Sequence, residues 1–438
     1  MNSIKEDIFK LVKQYAKEKY RPTEFVPGQT PVPVSGKVLD SDDLINLVDS
    51  SLEGWLTTGR FNTQFEKEIL KFLDAKVAIT VNSGSSANLV ALTTLASYKL
   101  GDRSIKPGDE VITVAAGFPT TVNPIIQNSA VPVFVDIEIP TFNVDINLIE
   151  QAITPKTKAI MIAHGLGNPF DVKKVREICD KYNLWLVQDT CDALGAKFDG
   201  KKLGFYGDIG TVSFYPAHHI TMGEGGLVYF NSQNTNSMKL KRIAESIRDW
   251  GRDCYCEPGK DNTCKKRFEW QLGELPFGYD HKYTYSHIGY NLKITDMQAA
   301  CGLSQLKKLD QFIIERVKNH DYLYKGLKKF EEFFILPEKT PLADPSWFGF
   351  LLTVNTNKFK RGDLVKFLND QKIGTRLLFA GNIIKQPYFK NLNYRVSSEL
   401  KNTDKVMNDS FWLGVYPGLT NEMLDYILNQ IEIFLKKI

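Results

Sequence analysis

The stretch KVAITVNSGSSANLVALTTLASYKL, residues 76–100, decides the fold. Its first part, KVAITV (76–81), is apolar and rich in β-branched residues, and therefore predicts a buried strand. A turn follows at Gly84, and the segment from Ser85 to Leu100 predicts a helix. A strand that passes through a short turn directly into a helix is typical of α/β proteins, whose parallel strands are covered by helices on both faces.

Further apolar strands follow along the chain. They are DEVITVA (109–115), VPVFVDI (131–137), KAIMIAH (158–164), LWLVQD (184–189), TVSFYP (211–216) and GLVYF (226–230). Helices are predicted at 171–182, at 296–328 and, with one apolar face, at 422–437. The alternation of strands and helices predicts an α/β fold with a mostly parallel central sheet.

The same pattern divides the chain into three parts. Residues 1–40 predict a charged amphipathic helix followed by a proline-rich segment, residues 41–330 a large domain, and residues 331–438 a smaller C-terminal α+β domain. The polar stretch 252–278, which contains glycine and cysteine, interrupts the pattern of the large domain. We interpret it as an inserted loop.

The composition is that of a globular enzyme. The 55 basic and 51 acidic side chains leave a net charge of +4, which gives no reason to expect nucleic acid as a partner. No apolar segment is long enough for a signal peptide or a membrane span, so we expect a cytoplasmic protein with no membrane contact. In that reducing compartment the six cysteines are not expected to form a disulfide framework.

Polar residues follow several of the strands at the edge of the sheet where ligands bind. Ser85 and Ser86 open a helix and suit a phosphate, although an ordinary serine-capped helix start better explains these two residues taken alone. Asp189 ends a wholly apolar strand, and a buried carboxylate needs a cationic or hydrogen-bonding partner, such as a protonated pyridine nitrogen. Ser213 offers a further phosphate contact.

Five ordered motifs resemble those of a known family. They are VNSGSSAN (81–88), AAGFPTTVNP (115–124), VQDTCDALG (187–195), SFYPAHHITMGEGG (213–226) and HIGYNLKITDMQAACGLSQL (287–306). Together they look like the sugar aminotransferase family typified by DegT, DnrJ, EryC and StrS, over roughly residues 40 to 435. The resemblance implies a fold-type I pyridoxal-phosphate enzyme that forms a homodimer with shared active sites.

The resemblance also implies roles for individual residues. The cofactor phosphate would be bound by three serines, Ser85, Ser86 and Ser213. Phe118 would stack on the cofactor ring, and Asp189 would pair with the pyridine nitrogen. Asn291 would reach the phosphate bound by the neighbouring subunit.

One motif departs from the aminotransferases at the residue that holds the cofactor. In those enzymes the position of His218 is a lysine, which binds pyridoxal as a Schiff base. An imidazole cannot form that bond, but it titrates near neutrality and can transfer a proton. We therefore interpret His218 as the catalytic base and assign no chemistry to His219. Structural or metal-binding histidines are the alternative, and a shared metal is disfavoured because adjacent side chains point in different directions.

The replacement of lysine by histidine marks the 3-dehydrase branch of the family. In that branch, pyridoxamine phosphate condenses with the C4 ketone of a nucleotide-linked 4-keto-6-deoxyhexose. By resemblance, His218 would remove a proton from the C4′ carbon of the cofactor as the C3 hydroxyl leaves. The cofactor ring and Asp189 would stabilise the charge that develops.

Three cysteines lie in the inserted loop, within DCYCEPGKDNTC. Cys254, Cys256 and Cys264 have the spacing C-x-C-x7-C, which indicates thiolate ligands for a metal. An iron–sulfur cluster takes four thiolates, and Cys191, two residues after Asp189, is the predicted fourth ligand. Spacing alone favours zinc, which also binds four thiolates.

The resemblance favours the cluster over zinc. The run DWGRDCYCEPGKDNTCKKRF (249–268) is similar to that of the branch acting on CDP-4-keto-6-deoxyglucose in bacterial lipopolysaccharide biosynthesis. That branch carries a [2Fe–2S] cluster and receives electrons from a flavin and iron–sulfur reductase. A second branch acts on GDP-4-keto-6-deoxymannose, lacks the cysteine loop and regenerates its cofactor with glutamate. A glutamate-regenerated dehydratase with structural zinc and a non-catalytic family member are the alternatives.

Other side chains are weaker candidates. Glu224 is interpreted as a turn residue rather than a general base, and His164 as either a ligand contact or a core histidine. Arg376 and Asn382 are candidate sugar or nucleotide contacts. A basic cluster around the cysteine loop suits a diphosphate or an acidic reductase, although a solvated face is more common: Arg248, Arg252, Lys265, Lys266 and Arg267. Two cysteines in predicted helices are expected in the core, Cys179 and Cys301.

Overall fold

The computed structural model describes residues 2–21, 23–231, 233, 236–254, 256 and 260–438. Its α-helices are α1 (Asn2–Lys19), α2 (Ser41–Leu52), α3 (Arg60–Leu73), α4 (Gly84–Leu95), α5 (Pro119–Gln127), α6 (Ile149–Ala152), α7 (Val172–Tyr182), α8 (Ser237–Arg248), α9 (Asp296–Leu306), α10 (Leu309–Leu327), α11 (Arg361–Asp370), α12 (Lys401–Asp409) and α13 (Asn421–Leu435). Its strands are β1 (Ala75–Val81), β2 (Glu110–Val114), β3 (Val131–Val135), β4 (Thr157–Ala163), β5 (Trp185–Asp189), β6 (Lys197–Phe198), β7 (Lys201–Lys202), β8 (Ile209–Ser213), β9 (Gly226–Asn231), β10 (Phe334–Ile335), β11 (Ala343–Asp344), β12 (Gly349–Val354), β13 (Arg395–Val396) and β14 (Ser410–Gly414).

The large sheet has the order β1-β9-β8-β5-β4-β2-β3-β13. From β8 to β13 each neighbouring pair is parallel, whereas β9 is antiparallel to both β1 and β8. Strands β2, β5 and β8 are buried along their full length. This burial is expected where apolar clusters and helices cover both faces of the sheet. The predicted α/β fold with a mostly parallel sheet is confirmed.

The helix predicted at 85–100 ends earlier than expected. Ser83 caps α4 by accepting the N–H of Ser86 at 3.1 Å, and the helix ends at Leu95. Ser97 then adopts an extended conformation with ψ of 130°, and its hydroxyl accepts the N–H of Lys99 at 3.2 Å. Because the serine side chain stabilises a new turn there, the chain leaves the helix before Leu100.

The single long helix predicted at 296–328 is wrong. It is two helices, α9 and α10, which are separated by Lys307 and Lys308. The ammonium group of Lys308 forms ion pairs with Asp43 at 2.7 Å and Asp40 at 2.8 Å. These ion pairs fix the junction between α9 and α10 beside the start of α2. Helix α10 then continues toward the small domain.

The small domain is built on the antiparallel sheet β10-β12-β14. Its apolar core also contains Leu323 and Leu327 from α10, and Val32 from the proline-rich segment. Val32 pairs with Ile373 in a parallel bridge, so this segment crosses to the small domain. The domain boundaries drawn from the sequence remain predictions. In the described part of the chain, no helix combines the length and apolarity needed to cross a bilayer.

Candidate active site

A cavity of about 680 Å³ opens at the carboxyl ends of the parallel strands, against the small domain. Six of the eleven residues to which the sequence assigned a catalytic, cofactor-binding or metal-binding role line it: Ser85, Phe118, Asp189, Cys191, Ser213 and His218. Their convergence follows from the topology, because the strands that precede them end at one edge of the sheet. Ser86, Asn291 and the three loop cysteines do not line this cavity.

The N-terminus of α4 forms one end of the cavity. Ser85 is exposed there, whereas Ser86 lies behind it and takes part in the cap formed by Ser83. A Cβ atom on Gly84 would lie 2.5 Å from the Cβ of Ser213, so only glycine allows this close approach. Backbone N–H groups at a helix start and nearby hydroxyls suit a phosphate. Ser83, at the helix cap, was missed by the sequence prediction.

Asp189 is held in one orientation on the floor of the cavity. Its Oδ2 accepts hydrogen bonds from Asn88 at 2.8 Å and Thr121 at 2.7 Å, and its Oδ1 accepts the N–H of Cys191 at 3.1 Å. Asn88 is fixed in turn by Thr211, whose hydroxyl donates to its amide oxygen at 2.6 Å. Asn88 and Thr121 were not assigned roles from the sequence, although both lie in the quoted motifs.

Aromatic side chains form the apolar wall of the cavity. Phe118 is half-exposed and meets Phe379 edge-to-face, with ring centroids 5.6 Å apart. Trp347, Phe348 and Trp412 from the small domain also line the cavity. A flat, apolar ring system fits between such walls.

The imidazole of His218 lies beside a carboxyl group that was not predicted. Its Nδ1 is 3.4 Å from Oδ1 of Asp192. Burial, together with the charge of Arg316, lowers the pKa of His218 to about 3, so the ring is neutral at neutral pH. Burial and the charge of Asp189 raise the pKa of Asp192 well above its usual range. A neutral imidazole and a carboxyl group of raised pKa can exchange a proton as a coupled pair.

Arg316 connects the His218 segment with the small domain. One of its nitrogens, Nη1, donates to the carbonyls of Trp347 and Phe348, both at 3.3 Å. Its Nη2 donates to the carbonyl of His218 at 3.2 Å. Burial lowers the pKa of Arg316 to about 10, which leaves the guanidinium charged at neutral pH. This buried cation was missed, since nothing in the local sequence distinguishes it from a surface arginine.

Two further histidines, His164 at the cavity and the buried His219, have structural roles. His164 stacks on Phe170 with centroids 4.2 Å apart, and its two nitrogens contact Gln188 at 3.1 Å and the N–H of Phe170 at 3.3 Å. Of the two interpretations of His164, the structure therefore supports the core histidine. His219 bonds the carbonyl of Ser346 at 2.9 Å.

The remaining candidates divide between the cavity and the scaffold. Arg376 lines the cavity, and Glu224 lies in an exposed bend at its edge. Asn382 caps a short turn by accepting the N–H of Ile384 and donates to Asp404 at 2.8 Å. The side chain of Asn382 is used in this cap and does not line the cavity, and its predicted contact with the sugar or nucleotide stays a prediction.

Asn291 lies outside the cavity of its own protomer. Its side chain is exposed and accepts a hydrogen bond from Lys293 at 3.1 Å. Its role in a neighbouring subunit stays a prediction.

The three loop cysteines lie together, and a histidine lies with them. The Sγ atoms of Cys254 and Cys264 are 3.8 and 3.5 Å from Nε2 of His281. The donor atoms of Cys254, Cys256 and His281 are all within 4.8 Å of one another. Cys191 belongs to no such group among the described residues and lines the cavity at the strand ends instead. His281 was missed.

The other two cysteines and the basic cluster have scaffold roles. Cys179 and Cys301 are buried in the core, as predicted. Two arginines of the cluster form internal ion pairs, Arg248 with Asp249 at 2.8 Å and Arg267 with Asp280 at 2.6 Å. The exposed members, Lys265 and Lys266, fit a solvated face.

Residues 38–432 match the DegT/DnrJ/EryC1/StrS aminotransferase family. The chain belongs to this family. Within it, the chain is 62% identical over 434 residues to the lipopolysaccharide biosynthesis protein RfbH of Salmonella typhimurium, covering 99% of this chain and 98% of that protein. It is 52% identical to the dTDP-4-dehydro-2,6-dideoxy-D-glucose 3-dehydratase of Saccharopolyspora spinosa, covering 99% of this chain and 92% of that one.

A solved structure of the DegT/DnrJ/EryC1/StrS group supports the same fold. GDP-4-keto-6-deoxymannose-3-dehydratase with a trapped PLP-glutamate geminal diamine matches with a TM-score of 0.79 at 28% identity, over 91% of this chain and 99% of that chain. The predicted fold-type I architecture of pyridoxal-phosphate-dependent enzymes is therefore confirmed.

Proposed function

We propose that this family member is a pyridoxamine-phosphate-dependent sugar 3-dehydrase. It removes the C3 hydroxyl of a nucleotide-linked 4-keto-6-deoxyhexose. The observation that carries the proposal is the neutral, largely buried imidazole of His218 in the cavity, at the position predicted for the lysine of the aminotransferases. Two relatives described above are named as 3-dehydratases, which supports the same chemistry.

The residues present fit the cofactor. Gly84 leaves room at the start of α4 for a phosphate, which Ser85 and Ser213 would hold; Ser86 stands behind them in the helix cap. The fixed carboxylate of Asp189 would pair with the pyridine nitrogen, and Phe118 would lie against the ring. When bound, the cofactor supplies an electron sink.

The chain's own groups control the proton. His218 is neutral before reaction and accepts a proton on its imidazole. A positive charge on His218 then favours ionisation of Asp192, whose Oδ1 lies 3.4 Å away. The carbonyl of His218 is held by Arg316, so the base is positioned before substrate binds. A ligand bound against the aromatic wall would displace water, which would strengthen these charge interactions.

We propose that the loop of Cys254, Cys256 and Cys264 carries a [2Fe–2S] cluster. Loss of the C3 hydroxyl as water leaves an unsaturated product that needs two electrons, and a cluster held by these residues would supply one-electron transfer. A separate flavin and iron–sulfur reductase supplies them. The grouping of thiols around the loop supports a metal centre there. The predicted fourth ligand, Cys191, stays a prediction.

The favoured substrate is CDP-4-keto-6-deoxyglucose, which the cysteine loop indicates by resemblance. Because relatives are named for dTDP- and GDP-linked sugars, sugars linked to these two nucleotides are the ones to compare with the CDP-linked sugar. We further propose a cytoplasmic homodimer in which Asn291 completes the partner's site. Ile288, three residues away, is 92% exposed in the single chain, and a partner subunit that contacts Asn291 would also cover this side chain.

Product analysis tests the reaction. Purified protein with pyridoxamine phosphate is incubated with CDP-, dTDP- and GDP-4-keto-6-deoxyhexoses, with and without a reductase and with glutamate. We expect 3-deoxygenated product from the CDP sugar only when the reductase and its electron source are present. Turnover with glutamate alone would instead support the glutamate-regenerated dehydratase. Failure to bind pyridoxamine phosphate would support the non-catalytic alternative.

A further inference from the structure

His219 is a buried histidine that takes no part in the proposed reaction. Its Nε2 lies 2.9 Å from the carbonyl oxygen of Ser346, and because a carbonyl can only accept a hydrogen bond, Nε2 carries the proton. Burial and the charge of Arg316 lower the pKa of His219 well below its usual range, so the ring is neutral at neutral pH. Its Nδ1 is therefore an acceptor, and in the described part of the chain this buried atom has no hydrogen-bond partner.

Arg316 offers the complementary donor. Its Nη1 and Nη2 are already used, since they donate to the carbonyls of Trp347, Phe348 and His218. Its Nε–H is buried as well, yet none of the residues that the structure describes accepts it. Arg316 is 1% exposed and His219 is 2% exposed, so bulk solvent satisfies neither atom. A buried donor or acceptor without a partner destabilises a protein, so a molecule that bonds both atoms would be stabilising.

A narrow cavity of about 10 Å³ is lined by both His219 and Arg316. Phe312, four residues before Arg316 in α10, lines it as well, so the cavity lies against the helix face that carries Arg316. Thr221 also lines it; its hydroxyl accepts the N–H of Gly223 at 2.9 Å and keeps a second lone pair. Of the described residues that line the cavity, none is acidic. This volume holds one water molecule and is too small for a phosphate or a carboxylate.

We propose that this cavity binds a single water molecule between Arg316 and His219, and that His219 thereby is a positioning residue for the catalytic base. The water accepts the Nε–H of Arg316 and donates to Nδ1 of His219 and to the hydroxyl of Thr221. About three polar partners are typical of a buried water. A halide ion could accept from Arg316, but it has no proton to donate to Nδ1.

His219 acts on the base from two directions. Through the water it is linked to Arg316, whose Nη2 holds the carbonyl of His218. Through Nε2 it holds the carbonyl of Ser346. Two residues further on, the ring of Phe348 packs against the imidazole of His218, with ring centroids 5.1 Å apart. The water site follows from these contacts alone, whereas the positioning role rests on the proposed function of His218.

Crystallography of the full-length protein tests the water site. A high-resolution structure should show electron density for one water within hydrogen-bond distance of both Nε of Arg316 and Nδ1 of His219. Crystals soaked in sodium bromide should give no anomalous signal at that position. A lack of density between the two atoms, or a bromide peak there, would overturn the water site.

Two full-length variants test the positioning role, and the readout is solvent hydrogen exchange at the C4′ carbon of bound pyridoxamine phosphate. His219→Phe removes both hydrogen bonds of the imidazole and is expected to slow this exchange on the order of tenfold, with unchanged affinity for pyridoxamine phosphate. His219→Gln should restore most of the rate, because its amide can donate to Ser346 and accept a hydrogen bond from the water. Circular dichroism and thermal unfolding establish that each variant is folded.

The wild-type exchange rate in His219→Phe would overturn the positioning role, and so would an equal loss of exchange in His219→Gln. If the wild-type protein itself shows no exchange, the proposed function of His218 fails and the positioning role fails with it. The crystal structure would still decide the water site in that case.

Discussion

Replacing His218 with asparagine tests the central feature of the site, a histidine kept neutral by burial. Asparagine preserves polarity and approximate size but cannot accept a proton near neutral pH. General base catalysis contributes roughly 10²–10⁴-fold to rate. We expect His218→Asn to slow solvent hydrogen exchange at the C4′ carbon of bound pyridoxamine phosphate by that factor, while the cofactor still binds.

The same burial predicts a change in acid stability. The pKa of His218 is about 3 in the folded protein, against an ordinary value of 6.5. As pH falls below about 6.5, the unfolded chain takes up a proton that the folded chain does not, so the folded state loses stability down to about pH 3. At pH 5 this loss amounts to about 2 kcal/mol. Removing the imidazole should make the decrease in unfolding free energy between pH 7 and pH 5 smaller by that amount.

Urea unfolding of the cofactor-free protein at pH 7 and pH 5 measures the difference in unfolding free energy. Mass spectrometry in deuterated water measures hydrogen exchange at the C4′ carbon of the cofactor. His164→Gln is the matched control for stability, because burial also lowers the pKa of His164 to about 3. Like His218→Asn, His164→Gln should lose less unfolding free energy between pH 7 and pH 5 than the wild type does. Unchanged exchange in His218→Asn would refute its role as base. If His218→Asn loses as much unfolding free energy between pH 7 and pH 5 as the wild type, the conclusion that burial keeps the imidazole of His218 neutral is refuted.

Three further substitutions test the cofactor cradle. Asp189→Asn removes the negative charge opposite the pyridinium, so pyridoxamine phosphate should bind roughly 10- to 150-fold more weakly in an absorbance titration. An unchanged affinity would contradict the pairing of Asp189 with the pyridine nitrogen. Gly84→Ala places a Cβ 2.5 Å from that of Ser213 and should cost about 1–3 kcal/mol in urea unfolding, whereas Gly362→Ala, with no atom within 4 Å, should not. Asn88→Ala removes a donor to the Asp189 carboxylate and should cost roughly 2–4 kcal/mol; wild-type unfolding would show that this bond is dispensable.

The sequence was sufficient to predict the framework of the large domain. Buried parallel strands are continuous apolar runs, so β2, β4 and β5 were recognisable without structural information. The rule that ligands bind at the carboxyl ends of such strands placed Asp189 and Ser213 in one cavity, as the structure has them.

Apart from Ser83, which acts through a local helix cap, the residues that the sequence analysis missed depend on contacts between distant segments. Thr121 matters because it meets a carboxylate 68 positions away, and the break at Lys308 depends on Asp43, 265 positions away. His281 meets Cys264 only after the loop closes. No local pattern marks such residues, because their neighbours in sequence do not reveal which atoms the fold brings to them.

The three hydrogen bonds of Arg316 have a consequence for motion. They join the segment of His218 to the chain leading into β12, so a hinge between these two parts would have to break either the bond to His218 or the two bonds to Trp347 and Phe348. We therefore expect the base and this side of the small domain to move as one rigid body.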